Sequence, residues 1–396
     1  MRSVHQLIWL GTASKPRAAT FAGLFMLAAA CRAVLITVVP LEGFALLGDA
    51  QRLSLFYFGI SLIGLTGSLG VPWLVYKIRR RAVLSLGACC LGVGALLIAG
   101  HSLPSLIVGL AIHVIGMTAV DISLNLYLMD HIPRKELGRF EPLRLFFQAG
   151  PWALGPWLGV YLQSELAPWA PFAVSASAAV LLLTMFWYLR LTENPAVAPA
   201  KGPPPNPLKN LPHFFTQPRL RLAWLLAFGR AGWWAMFFVY APIYAVTSGL
   251  SEEASGVLIS VGMSTLFAVP LWGWVGRRYG LQRLLVVGYG ASGLVTLAIA
   301  LVVGAPWQVA SILVAAALVT GIIDGAGNVP FLRTVHPLER SEMTAVFATY
   351  RDASQLAPPG VFALLLKVFE LPAVFLAGGL GMLVIAHFAR FLPRRF

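Results

Sequence analysis

Apolar runs of about 20 residues or more, divided by short clusters of charge, recur along this chain from residue 20 to residue 392. A run of that length crosses the hydrocarbon of a bilayer as a helix. A membrane β-strand would instead alternate polar and apolar residues over roughly 10 positions. Charged residues make up 11% of the 396 and hydrophobic residues 58%, whereas soluble domains carry about 25% charge. The 38 Gly and 27 Pro would break soluble helices but are tolerated in membrane helices, where neighbours satisfy the freed backbone groups. The expectation is an all-α polytopic membrane protein.

The runs define twelve transmembrane helices, at 20–48, 53–76, 82–100, 105–129, 140–163 and 168–190, then 222–248, 254–276, 284–304, 307–331, 343–369 and 371–392. One face collects Lys77, Arg79, Arg80, Arg81, Arg134, Lys135, Arg277, Arg278 and Arg283; the other shows Asp49, Glu165, Glu252, Glu253 and Glu370, with Arg52. By the positive-inside rule the first face and both termini are cytoplasmic, in a bacterial-type inner membrane. That bias absorbs most of the +14 net charge, so no nucleic-acid partner is expected; the apolar spans have membrane lipid as their partner. Cys31, Cys89 and Cys90 all fall in apolar runs, without a metal or disulfide pattern. Met1–Ser14 is short and the next apolar run is too long for an h-region, so no cleavable signal is expected.

Residues 191–221 carry Pro195, Pro199, Pro203, Pro204, Pro205, Pro207, Pro212 and Pro218, and read as a poorly helical linker. It divides a cytoplasmic segment 1–19 and a bundle 20–190 from a second bundle 222–392 and a tail 393–396. The halves repeat one another. Cys31-Arg32-Ala33 answers Gly229-Arg230-Ala231, and Val71-Pro72 answers Val269-Pro270. Asp121 and Asn125 match Asp324 and Asn328, while Arg144, Gln148 and Pro151 match Arg351, Gln355 and Pro358. The prediction is two pseudo-symmetric six-helix bundles.

Two such repeats joined by a cytoplasmic linker resemble the major facilitator superfamily over essentially the whole chain. Gly273-Trp-Val-Gly-Arg277-Arg278-Tyr-Gly280-Leu-Gln-Arg283 is similar to that superfamily's loop signature between spans 8 and 9, with Arg277 where an acidic residue is usual. Gly150-Pro151 and Gly155-Pro156-Trp-Leu-Gly159 on span 5 resemble the Gly-Pro motif of its exporters. The resemblance implies alternating access around a central cavity lined by spans 1 and 7. Arg32 and Arg230 would then face each other near the midplane, as the paired arginines of the organophosphate:phosphate antiporters do.

Charges at that depth cost about 2.5–3.5 kcal/mol each on insertion scales, so each needs a reason. A guanidinium fork matches carboxylate or phosphate, and Arg32 with Arg230 would clamp an anion; the competing explanation pairs each with the aspartate of its own half. Asp121 and Asp324 are candidates for proton coupling, because low dielectric favours a neutral carboxyl and a nearby arginine the charged one. His113, Met117, Asp121 and Asn125 are four apart and form one stripe; His113 is either a relay or a buried, hydrogen-bonded histidine. Arg351, Gln355, Asn125 and Asn328 would orient the solute, with Asp352 as a further coupling or pairing carboxylate. Trp233 and Tyr240 would line the cavity on span 7. Glu141, Arg144, Gln148, Arg277 and Arg278 are gate candidates, and Pro358-Pro359-Gly360 should interrupt span 11.

No nucleophile elbow, Walker loop or metalloprotease motif occurs, and neither a cofactor nor a metal is expected. The leading expectation is therefore a secondary transporter, working as a monomer by proton symport or antiport on a small organic or phosphorylated anion. An exporter of amphipathic or drug-like compounds is the alternative on the same fold. A non-transporting sensor or assembly protein needs neither the repeat nor the intramembrane charges.

Overall fold

A computed structural model describes residues 15–131, 134–189, 207–302, 305–336 and 339–393, without the side chains of 15–18, 129–142, 207–209 and 340–341. Those residues are helices and short connections. Span 1 is α1 (Lys15–Ala33) and α2 (Val38–Leu47), separated by a turn. Pro40, in the first turn of α2, has no N–H to offer the Ile36 carbonyl, so the helical ladder lapses there. Then follow α3 (Ala50–Ile78), α4 (Arg80–Ile98), α5 (Leu103–His131), α6 (Arg134–Tyr161), which ends in a π-turn at Leu162–Leu166, and α7 (Ala170–Tyr188). Asp49 caps α3 by accepting from the Arg52 N–H at 3.2 Å.

The predicted linker holds a short helix, α8 (Pro207–Thr216), packed on α9 (Pro218–Thr247). Proline at the first turn of α8 and of α9 suits helix starts, where the missing N–H has no partner to lose. The second half continues with α10 (Glu252–Met263), a 3₁₀ stretch Ser264–Ala268, α11 (Val269–Tyr279), α12 (Leu281–Ile299), α13 (Pro306–Asp324), α14 (Val329–Thr334), α15 (Arg340–Ala348), α16 (Tyr350–Leu365) and α17 (Pro372–Ala389). Pro270 stands at the start of α11 and explains the break within span 8, whereas its repeat partner Pro72 is absorbed in the unbroken α3. Span 11 breaks at Thr349, not at Pro358-Pro359-Gly360, which lie inside α16.

Ten of the described segments are long and apolar enough to cross a membrane. The two spans that fall short are α6 and α15–α16, the ones enriched in arginine and glutamine. These same spans carry the contacts between halves: α6 packs on α10, and α16 on α3. Helices that face the partner half and a cavity need not be apolar all round, which accounts for their weak hydropathy. Lipid-facing positions show the reverse, with Leu86, Val93, Leu96, Val287 and Leu294 exposed on α4 and α12.

Within each half, small residues let backbones approach. A Cβ on Gly94 would sit 2.7 Å from the Gly109 carbonyl, and one on Gly379 2.9 Å from that of Gly293. Between halves, contact gathers toward the face opposite the termini. Ser54 of α3 and Tyr240 of α9 share a buried hydrogen bond of 2.6 Å. The Trp157 N–H donates to Ser260 at 2.8 Å, Ser61 to the Gln355 carbonyl at 2.8 Å, and Ser164 to Glu253 at 2.9 Å. By contrast α11 and α15, nearer the termini, pack mainly within their own half. The halves are therefore closed on one face and parted on the face where α1 begins and α17 ends.

Candidate functional site

The membrane charges converge where the halves part. Arg32 closes the last turn of α1, where unsatisfied carbonyls favour a cation. Its Nη1 donates to Asp121 of α5 at 2.9 Å, with the two side chains 20% and 35% exposed. Its Nε is buried and has no hydrogen-bond partner. In the second half, Arg230 Nη1 lies 3.7 Å from Asp324 of α13, both side chains 15% exposed. That pair is slacker. Arg230 Nη2 donates to Asn328 at 3.2 Å, and the Trp234 indole N–H donates to the other Asp324 oxygen at 3.1 Å. Asn328 is brought there by the break between α13 and α14, where Gly327 adopts φ +50° and opens the chain after Asp324.

Each arginine is thus paired within its own half, and the two do not form a bare clamp; the like charges would repel without the aspartates. Arg351 completes the cluster. It stands exposed near the start of α16, its Nε donating to the Tyr350 hydroxyl at 3.4 Å. That hydroxyl also interacts with Arg230, and Asp121 acts electrostatically on Arg351 across the gap between halves. Asp352 lies against Ser68 of α3, so its carboxylate faces the interface. Among the described residues, three guanidiniums, of Arg32, Arg230 and Arg351, are therefore grouped with three carboxylates, of Asp121, Asp324 and Asp352.

Several predicted positions lie elsewhere. His113 is buried and donates from Nδ1 to the Leu91 carbonyl of α4 at 3.1 Å, so it is packed between helices and away from the cavity. Asn125 spends its amide on the Asp121 carbonyl of its own helix at 2.7 Å. Trp233 is buried, donating to Thr296 at 2.9 Å, and Tyr240 is buried against Ser54 on the closed side; neither lines the cavity. In the middle of α9, Arg230, Trp234 and Phe238, four apart, are half-buried where Trp233 and Tyr240 are buried, a stripe offset from the predicted one. Gln355 is exposed on α16.

Of the gate candidates, Arg144 lies over the Phe25 ring at 5.0 Å and Gln148 is half-buried. Arg277 and Arg278 are exposed at the end of α11, with Arg278 5.5 Å from the Trp274 ring centroid. The side chain of Glu141 lies outside the described residues. Sequence reading missed Tyr350 and the aromatics Trp152, Trp234 and Phe238. It also missed a further intramembrane carboxylate, Glu42 of α2, buried against His101 Nδ1 at 2.8 Å.

No curated protein matches the chain. Among solved structures, the nucleoside transporter NupG superposes with a TM-score of 0.71 at 14% identity, over 93% of this chain and 97% of that one. A POT family transporter in complex with 5-aminolevulinic acid gives 0.74 at 12%, over 94% and 95%. A D-xylose-proton symporter gives 0.71 at 14%, over 96% and 97%. At such identities these show a shared fold alone. The sequence model of the Major Facilitator Superfamily matches residues 20–359, and with that match the two six-span halves and their shared cavity have a family: the chain belongs to the Major Facilitator Superfamily and is a membrane transporter.

Proposed function

We propose that the protein carries a small organic or phosphorylated anion across a bacterial-type inner membrane by alternating access, with both termini cytoplasmic and with proton coupling or anion exchange. The carrying observation is the unused Nε of Arg32, the slack Arg230–Asp324 contact and the exposed Arg351, donors that the neighbouring carboxylates do not fully occupy. A carboxylate or phosphate gains paired, charge-assisted donors there.

Arg32, Arg230 and Arg351 bind the anion and Asn328 orients it from the Arg230 side. The anion competes with Asp121 or Asp324 for the same guanidinium. A carboxylate that loses its arginine in a low-dielectric cavity takes up a proton, which links solute binding to proton binding. If the aspartates keep their arginines throughout, the same site supports exchange of one anion for another.

The test is transport into proteoliposomes with carboxylates, phosphate esters, inorganic oxyanions, cations and lipophilic compounds as solutes. Loss of a charged hydrogen bond at Arg32→Ala or Arg351→Ala weakens apparent affinity for an anion roughly ten- to a hundredfold, with the fold checked by thermal unfolding. Undiminished anion transport in both variants would refute the assignment. Transport of lipophilic or cationic compounds alone would favour the exporter reading.

A further inference from the structure

One contiguous row of aromatic rings joins the two arginine–aspartate pairs. Trp152 of α6 lies 6.0 Å beneath the Arg32 guanidinium. Its other neighbour is Phe238 of α9, stacked at 5.7 Å with an interplanar angle of 22°. Phe238 in turn stacks on Trp234 at 5.6 Å and 25°, and Trp234 donates to Asp324, the partner of Arg230. All three rings are half-buried. Immediately behind them, Trp233 and Phe237 are stacked at 5.1 Å and fully enclosed in the core of the second half. The core is thus filled without the front row, whose partly open faces border the cavity.

The row also crosses between the halves, since Trp152 belongs to the first and Phe238 and Trp234 to the second. In alternating access the halves rotate apart at such contacts, so the ring faces that now meet each other become open to a solute. An anionic group held on Arg32 or Arg230 places the body of the solute against these rings. A flat ring gains offset-stacked geometry there that a puckered ring of equal area does not.

We propose that the transported anion is aromatic or heteroaromatic: a carboxylate or phosphate borne on a planar ring, which stacks on the Trp152–Phe238–Trp234 row while its anionic group is held by Arg32 or Arg230. The inference rests on the anion reading above and adds the shape of the rest of the solute. Trp152, Trp234 and Phe238 set specificity by contact with the ring.

Isothermal titration of the full-length protein in detergent tests this with matched probes: benzoate against cyclohexanecarboxylate, and phenylphosphonate against cyclohexylphosphonate. The expected result is an affinity about two- to tenfold higher for the aromatic member of at least one pair. Trp152→Leu and, separately, Phe238→Leu should erase that preference, the ratio of the two affinities falling to about one, with the fold of each variant checked by thermal unfolding. Equal affinities in the wild type, with binding of both members, overturn the ring inference and leave the anion reading standing. A preference that survives in both variants overturns the assignment to this row. Binding of none of the four probes refutes the anion reading itself, and the ring inference with it.

Discussion

Tyr240 and Ser54 report how firmly the closed face is held. Their hydroxyls meet at 2.6 Å with both side chains wholly buried, and they belong to opposite halves. The bond therefore stabilises this conformation and must break when the face opens. Ser54 also donates to its own Ala50 carbonyl at 2.9 Å, so Tyr240 is the donor to Ser54. In Tyr240→Phe the Ser54 hydroxyl keeps that partner, so only the net value of one hydrogen bond is lost, about 0.5–1.5 kcal/mol. In Ser54→Ala the Tyr240 hydroxyl stays buried with no partner, which costs about 1–3 kcal/mol. The closed population relative to the open one should fall roughly two- to twelvefold in the first variant and about five- to a hundredfold or more in the second. Spin labels at Leu166 and Val257, exposed on opposite halves of that face, read the two populations by pulsed dipolar spectroscopy once Cys31, Cys89 and Cys90 are replaced. An unchanged distance distribution, or a larger shift in Tyr240→Phe than in Ser54→Ala, would refute the reasoning.

Two further outcomes are expected. Gly159→Ala drives a Cβ into the Val34 carbonyl at the break of span 1; backbone cannot step aside, so thermal unfolding in detergent should reveal a loss of at least about 1–3 kcal/mol, while Gly150→Ala, which meets nothing within 4 Å, should be tolerated. At the membrane surface, hydrogen bonds from Gln217 and His213 hold the Glu339 carboxyl below its ordinary range. A depressed carboxylate contributes stability above its unfolded value and loses it as pH falls through the folded one, so the docking of α8 beside α15 should loosen below about pH 4.5. Hydrogen exchange in Pro207–Thr216 is the readout, and protection unchanged on acidification would count against the latch.

The residues themselves settled the membrane class, and their order pointed to a two-half repeat and to the charged groups that enter the membrane, because all three follow from composition and order. Only a membrane accommodates such long apolar runs. Arginine and aspartate recurring at matched places in two halves had to meet their own partners or a shared solute. Arg32, Asp121, Arg230, Asp324, Asn328 and Arg351 were legible for that reason: a charge in hydrocarbon needs a neighbour, and few were on offer. Tertiary structure decided which neighbour each one took, since both explanations of the arginines use the same residues and differ only in distance.

It also decided rotation about the helix axes. Moving one residue along a helix turns the side chain by about 100°, so Trp233 and Trp234 are indistinguishable by sequence neighbourhood, yet one fills the core and the other faces the cavity. Helix breaks were equally hidden. Pro40 and Pro270 coincide with interruptions while Pro72 and the Pro358-Pro359 pair do not, because a missing hydrogen bond breaks a helix only where packing from neighbours does not hold the turn together. Sequence order therefore named the groups that enter the membrane, and packing between the halves chose which of their faces a solute can reach.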